Sequence, residues 1–195
     1  MMKDQFIEQQ GIYLLSHSVG LPQKTAKSAA DLGFWQPWMA GNEKIWDHWL
    51  GEIERFRGQL GRLLNSDASH FCPQTTISSA VNKIIFSLTP ETHKNIILMS
   101  EEDFPSVAYA LQQSKTLGYH MRYIPAGLNL NDLDVWNQYL SDDVALVLVT
   151  QVQSNNGVQL PIEAITAMAS ERSIRSLVDI AQAIGIIPIN IQQWS

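Results

Sequence analysis

The consecutive apolar residues Val144-Ala145-Leu146-Val147-Leu148-Val149 constrain the fold more than any other stretch of this sequence. A strand with one face in water alternates apolar and polar side chains, whereas one that is apolar throughout is covered on both faces. Valines at its ends and centre favour extended backbone. Such a strand belongs in a mainly parallel sheet with helices on either side, so strands and helices should alternate along the chain. They do. Strand patterns fall at 95–100, 120–124 and 176–179, and helices are expected from Pro105, near Asp132 to Leu140, and from Pro161. Before them, Ile45, Trp49, Ile53, Phe56, Leu60 and Leu63 mark one face of a long amphipathic helix capped by Asn42. Ile77, Ala80, Val81, Ile84, Ile85 and Leu88 mark a second helix. The expected fold class is α/β: a three-layer, doubly wound, mainly parallel sheet. The segment up to Gly41, with Phe34-Trp35-Gln36-Pro37-Trp38, reads as irregular.

Composition narrows the function classes. The 195 residues fit one sizeable domain, with an aromatic-rich arm over 1–41 and a sheet domain over 42–195. A net charge of −6, with no basic run, argues against a nucleic-acid or anionic-membrane partner. The single cysteine, Cys72, excludes an internal disulfide and a multi-cysteine metal site. No opening stretch is apolar for long enough to be a signal peptide or a membrane span, so the expected location is the cytoplasm.

Candidate site residues lie where strands end. Asp179 closes the apolar run Ser176-Leu177-Val178, and Gln182 follows three residues on. Open α/β sheets bind ligands at the carboxyl ends of their strands. A carboxylate there is costly without a cation or donors, and a protonated pyridine nitrogen would suit it. A strand-end Asp capping the next turn is the plainer alternative. Thr75 and Thr76 open the second helix, where free N–H groups and hydroxyls could hold a phosphate or merely cap the helix. Phe104, before Pro105, could lie on a planar ligand or join the core. Thr150 begins the polar stretch Thr150-Gln151-Val152-Gln153-Ser154-Asn155-Asn156-Gly157, whose Asn-Gly end favours a tight turn. No Gly-x-Gly-x-x-Gly follows a strand, which disfavours a dinucleotide-binding protein.

In order and spacing these places resemble the class V pyridoxal-phosphate enzymes, a group that includes kynureninases and cysteine desulfurases. Leu177-Val178-Asp179-Ile180-Ala181-Gln182-Ala183 is similar to their cofactor segment. Tyr13-Leu14-Leu15-Ser16-His17-Ser18-Val19-Gly20 and Phe104-Pro105-Ser106 resemble kynureninase motifs. The resemblance implies the large domain of the pyridoxal-phosphate transferases (fold type I) and pyridoxal 5'-phosphate as cofactor. It also implies a small amino-acid substrate and a homodimeric whole enzyme. By position, Thr75 and Thr76 would face the phosphate, Phe104 the ring face, Thr150 the cofactor periphery, Asp179 the pyridine nitrogen and Gln182 the ring oxygen.

Several positions depart from the pattern. Val107 stands where kynureninases carry Asp, Leu15 and His17 replace the Asp and Asn of their opening motif, and Gln182 is as in the desulfurases. The family's Schiff-base lysine lies beyond the pyridine-binding Asp, yet Lys3, Lys24, Lys27, Lys44, Lys83, Lys94 and Lys115 all precede Asp179. The expectation is therefore the amino-terminal part of such an enzyme, cut before its later strands and small carboxyl-terminal domain, and inactive alone. The alternative is a non-catalytic remnant that associates with another protein through Trp35, Trp38, Trp46 and Trp49.

Overall fold

The computed structural model describes residues 2–41 and 43–194, so Asn42, the expected helix cap, lies outside the described residues. Contacts divide the chain into two units, Met1–Arg62 with Asp67–Pro73, and Leu63–Ser66 with Gln74–Ser195.

The first unit is helical from Ala26 onward. Helix α1 (Ala26–Ala30) runs through a π turn (Asp31–Trp35) into α2 (Gln36–Met39), and the long α3 (Ile45–Leu64) follows. This corrects the irregular segment read from sequence. Gly33 and Pro37 are the breakers in that reading, and the fold absorbs both. Pro37 has no N–H to give the carbonyl of Gly33, one helical turn back. The wider turn accommodates the ring, and His48 Nε2 of α3 donates to that carbonyl at 2.9 Å. Lys27 and Asp31, 2.7 Å apart, brace the same turn from outside. Phe34 stacks on Trp49 with centroids 5.1 Å apart, and Trp35 on Trp38 at 5.8 Å. Trp35, Trp38 and Trp46 nonetheless remain largely exposed.

The second unit holds a four-stranded sheet in the order β2-β1-β3-β4, parallel throughout. The strands are β1 (Ile96–Ser100), β2 (His120–Ile124), β3 (Val144–Thr150) and β4 (Arg175–Asp179). The helices are α4 (Ile77–Phe86), α5 (Pro105–Gln112), α6 (Leu133–Tyr139) and α7 (Ile162–Glu171). Every residue of β3 is buried, as its composition requires. Its side chains alternate between two cores: Val147 and Val149 pack with Trp136 of α6 and Ile165 of α7, while Leu146 and Leu148 pack with Val81 of α4 and Val107 of α5. The result is the expected three-layer arrangement. Asp132 caps α6 by accepting from Asp134 N at 3.0 Å. At the entry end of β3, Arg122 donates to both Asp143 oxygens, at 2.9 and 2.5 Å. That pair holds the Asp143 carboxyl down at about 2.

Candidate functional site

The chain leaves β1 toward one edge and β3 toward the other, so the order reverses between these two central strands. At such a switch point the loops part and leave a crevice beyond the strand ends. Of the sequence-predicted site residues, Thr150 lies at this switch point and Asp179 one strand over, at the end of β4.

Thr150 ends β3 and Asp179 ends β4, and the two are register partners, with Gln151 N donating to the Asp179 carbonyl at 2.9 Å. Asp179 is half-buried, and its Oδ1 accepts from Ala181 N at 2.8 Å, which makes the turn after the strand. The structure shows the plainer reading of this acid: one carboxylate oxygen forms the turn. Asp179 also lines a cavity of about 330 Å³ with Ile77, Val107, Leu148, Leu177 and Ile184. That cavity brings the start of α4, the first turn of α5 and the exit of β4 together. Gln182 sits in the same turn as Asp179, half-buried, outside the cavity's lining.

Thr75 and Thr76 are exposed just before α4. Thr76 is the cap: its Oγ1 accepts from Ser79 N at 3.1 Å. The cap uses a lone pair, so the hydroxyl proton is still available to donate. Phe104 has extended backbone (φ −61, ψ 126), set by the following Pro105, and the residue is 51% exposed at the start of α5. It is not a core residue.

Thr150 differs from the sequence expectation in what it touches. Its buried hydroxyl donates to Asp103 Oδ1 at 2.7 Å, and Gln153 Nε2 donates to the same oxygen at 3.0 Å. Ser100 N donates to the other oxygen at 2.8 Å. Asp103 thus knots the exits of β1 and β3 across the switch point. Burial pushes its carboxyl up from the ordinary value, the three donors pull it back, and the charge of Asp179 pushes it up again. The amide oxygens of Gln151 and Gln153 are buried without a hydrogen-bond partner among the described residues. Buried polar atoms left in this state mark a place where a donor from outside is missing. In the sequence, Asp103 stands just past a strand at the head of the candidate segment Asp103-Phe104-Pro105-Ser106, but nothing local gives it a role of its own.

The carboxyl ends of parallel strands, a helix start and a polar switch-point crevice together define a doubly wound α/β domain with its ligand-binding edge at the strand exits. The solved structures agree: the cystine C-S lyase C-DES, in a mutant with glycine covalently linked to its pyridoxal-phosphate cofactor, superposes with a TM-score of 0.82 at 20% identity, covering 92% of this chain and 49% of that one. The cysteine desulfurase CsdA of Escherichia coli superposes with a TM-score of 0.78 at 18% identity, over 98% of this chain and 51% of its own. The family described as aminotransferase class-V matches residues 49–195, and the chain belongs to it.

Among curated relatives, the kynureninase of Shouchella clausii is 28% identical over 97% of this chain and 47% of its own length. The cysteine desulfurase of Trichormus azollae is 30% identical over 73% of this chain and 36% of its own. The chain therefore spans half or less of the relatives it matches, and corresponds to their amino-terminal portion. No helix among the described residues is long and apolar enough to cross a membrane.

Proposed function

We propose that this chain is the cofactor-binding amino-terminal part of a cytoplasmic, homodimeric pyridoxal-phosphate enzyme acting on a small amino-acid substrate. In this reading residues 1–41 form an arm and residues 42–195 part of the large domain. The observation that carries it is Asp179: a half-buried carboxylate at a strand exit, beside the start of α4, with no ion pair among the described residues.

The residues fit pyridoxal phosphate. Asp179 holds the proton on the ring nitrogen with the oxygen that the turn leaves free. Phe104 offers an exposed ring to stack against a planar face. The α4 amides and the hydroxyls of Thr75 and Thr76 hold the phosphate, which a helix start favours electrostatically. Gln182 contacts the ring oxygen, and Thr150, spending its proton on Asp103, borders the cofactor as an acceptor. The bound cofactor supplies an electron-poor ring that stabilises negative charge on the substrate carbon. What this chain contributes is the fixed charge that keeps that ring protonated.

Calorimetric titration with pyridoxal phosphate tests the reading. The wild-type chain should bind, and Asp179→Ala should bind more weakly while staying folded. No binding, or full affinity in Asp179→Ala with none in Gln182→Ala, overturns the assignment. The competing association reading draws on the exposed Trp35, Trp38 and Trp46, and predicts a partner-dependent change in their fluorescence without any cofactor binding.

A further inference from the structure

Asp103 is a buried acid with no cation beside it. Only 6% of the residue is exposed, and no Lys, Arg or His pairs with it among the described residues. Its three partners, Thr150 Oγ1, Gln153 Nε2 and Ser100 N, all act as donors, two to one oxygen and one to the other, the arrangement that best serves an ionised carboxylate. Buried charges are normally matched, so an unmatched one at a ligand crevice asks for its counter-ion.

The sheet register puts Thr150, the hydrogen-bond partner of Asp103, on the same side as Asp179, while Asp103 itself lines a neighbouring cavity with Ser100 and Pro105. Leu148 and Leu177 are register partners, and both line the cavity beside α4. Thr150 and Asp179 lie two residues further along the same strands, so their side chains share that face. Thr150 hands the geometry on to Asp103 by its 2.7 Å hydrogen bond.

We propose, resting on the cofactor reading above, that Asp103 is a second fixed negative charge of the strand-exit crevice, acting beside Asp179 to make it select a cationic over a neutral ring. The alternative is that Asp103 only ties two loops together. The two roles separate cleanly. A tie affects every occupant alike, whereas a charge affects an occupant according to its own charge.

The experiment compares pyridoxal phosphate with its 1-deaza analogue, in which the ring nitrogen is replaced by C–H and cannot be protonated. Affinities of the wild-type chain, Asp103→Asn and Asp179→Asn are measured calorimetrically at neutral pH, with thermal unfolding as the folding control. The wild-type chain should prefer the nitrogen-containing ring. Asp103→Asn should cut that preference by on the order of tenfold, as expected for one charge acting through partly screened protein over several ångströms. Asp179→Asn should cut it further. If Asp103→Asn does not fold, the double variant Asp103→Leu/Thr150→Val removes the carboxylate together with its hydroxyl donor, and should show the same drop. Equal weakening of both compounds, or an unchanged preference, overturns the proposal and leaves the cofactor reading standing. A wild-type chain that binds neither compound overturns both.

Discussion

Thr76→Ala separates two jobs that the structure gives one side chain. As the cap of α4, Thr76 accepts from Ser79 N at 3.1 Å; as a proposed phosphate ligand it donates its hydroxyl proton. Losing an N-cap hydroxyl costs ~1 kcal/mol. For a domain of this size that lowers Tm by about 2–4 °C. Losing a donor to a charged phosphate costs about 1.5–3 kcal/mol in binding, roughly a ten- to hundredfold drop in affinity. The assay pairs thermal unfolding with titration by pyridoxal phosphate and by pyridoxal, which lacks the phosphate. Pyridoxal affinity should stay within about twofold, since that ligand never meets the hydroxyl. Thr76→Ser should restore both stability and phosphate affinity, because it keeps the hydroxyl. If the variant loses stability yet binds pyridoxal phosphate normally, Thr76 is a cap alone. If both ligands weaken together, the start of α4 has moved and the phosphate assignment fails.

Further expectations follow from other parts of the molecule. Arg122 holds the Asp143 carboxyl down at about 2 from a usual 3.8, so the pair stabilises the fold above pH ~4 and the benefit fades as pH falls through about 2. With 42% of the Asp143 side chain exposed, screening limits this to ~1 kcal/mol or less. Urea midpoints of wild type and Asp143→Asn should therefore converge between pH 4 and 2, and a pH-independent gap would contradict the pairing. Pyridoxal phosphate followed by borohydride should leave no stoichiometric label at any one lysine, since none follows Asp179; one fully labelled site by mass spectrometry refutes this. The exposed apolar side chains of Trp35, Trp46, Phe56, Ile77 and Ile186 should drive oligomers at micromolar concentration, and a clean monomer by light scattering would count against it. In a longer enzyme carrying a Schiff-base lysine, Asp179→Ala should lower turnover by on the order of a hundredfold, with a smaller loss of cofactor affinity. Near-normal turnover there would remove the acid from the chemistry.

How much of this was legible in the sequence depended on the range of the forces involved. The β3 run needed no context, because burial on both faces is written into its composition, and it forms as expected from Val144 to Thr150. The 120–124 strand, the helix near Asp132 to Leu140 and the strand ending at Asp179 were equally local. The helical stretch from Ala26 to Met39 was missed because Gly33 and Pro37 are breakers by propensity. What overrides them is a hydrogen bond from His48, on another helix. The role of Asp103, as distinct from its place beside Phe104, is not legible for a similar reason. Its importance comes from Thr150, 47 residues away in sequence, and no local pattern announces that pairing. Thr150 itself was identified as a site residue, but its immediate partner is a side chain of this chain, which only the folded crevice reveals.

The ion pair of Arg122 with Asp143 and the acids Asp103 and Asp179 occupy opposite rims of one sheet. At one rim charge is neutralised within the chain; at the other neither acid makes an ion pair among the described residues. The parallel direction of all four strands is what keeps the rims apart, since every strand enters at the first and leaves at the second. Substitutions that redraw recognition can thus accumulate at one rim while the foundation at the other stays untouched. A scaffold partitioned in this way can diverge in chemistry many times over and still be the same scaffold.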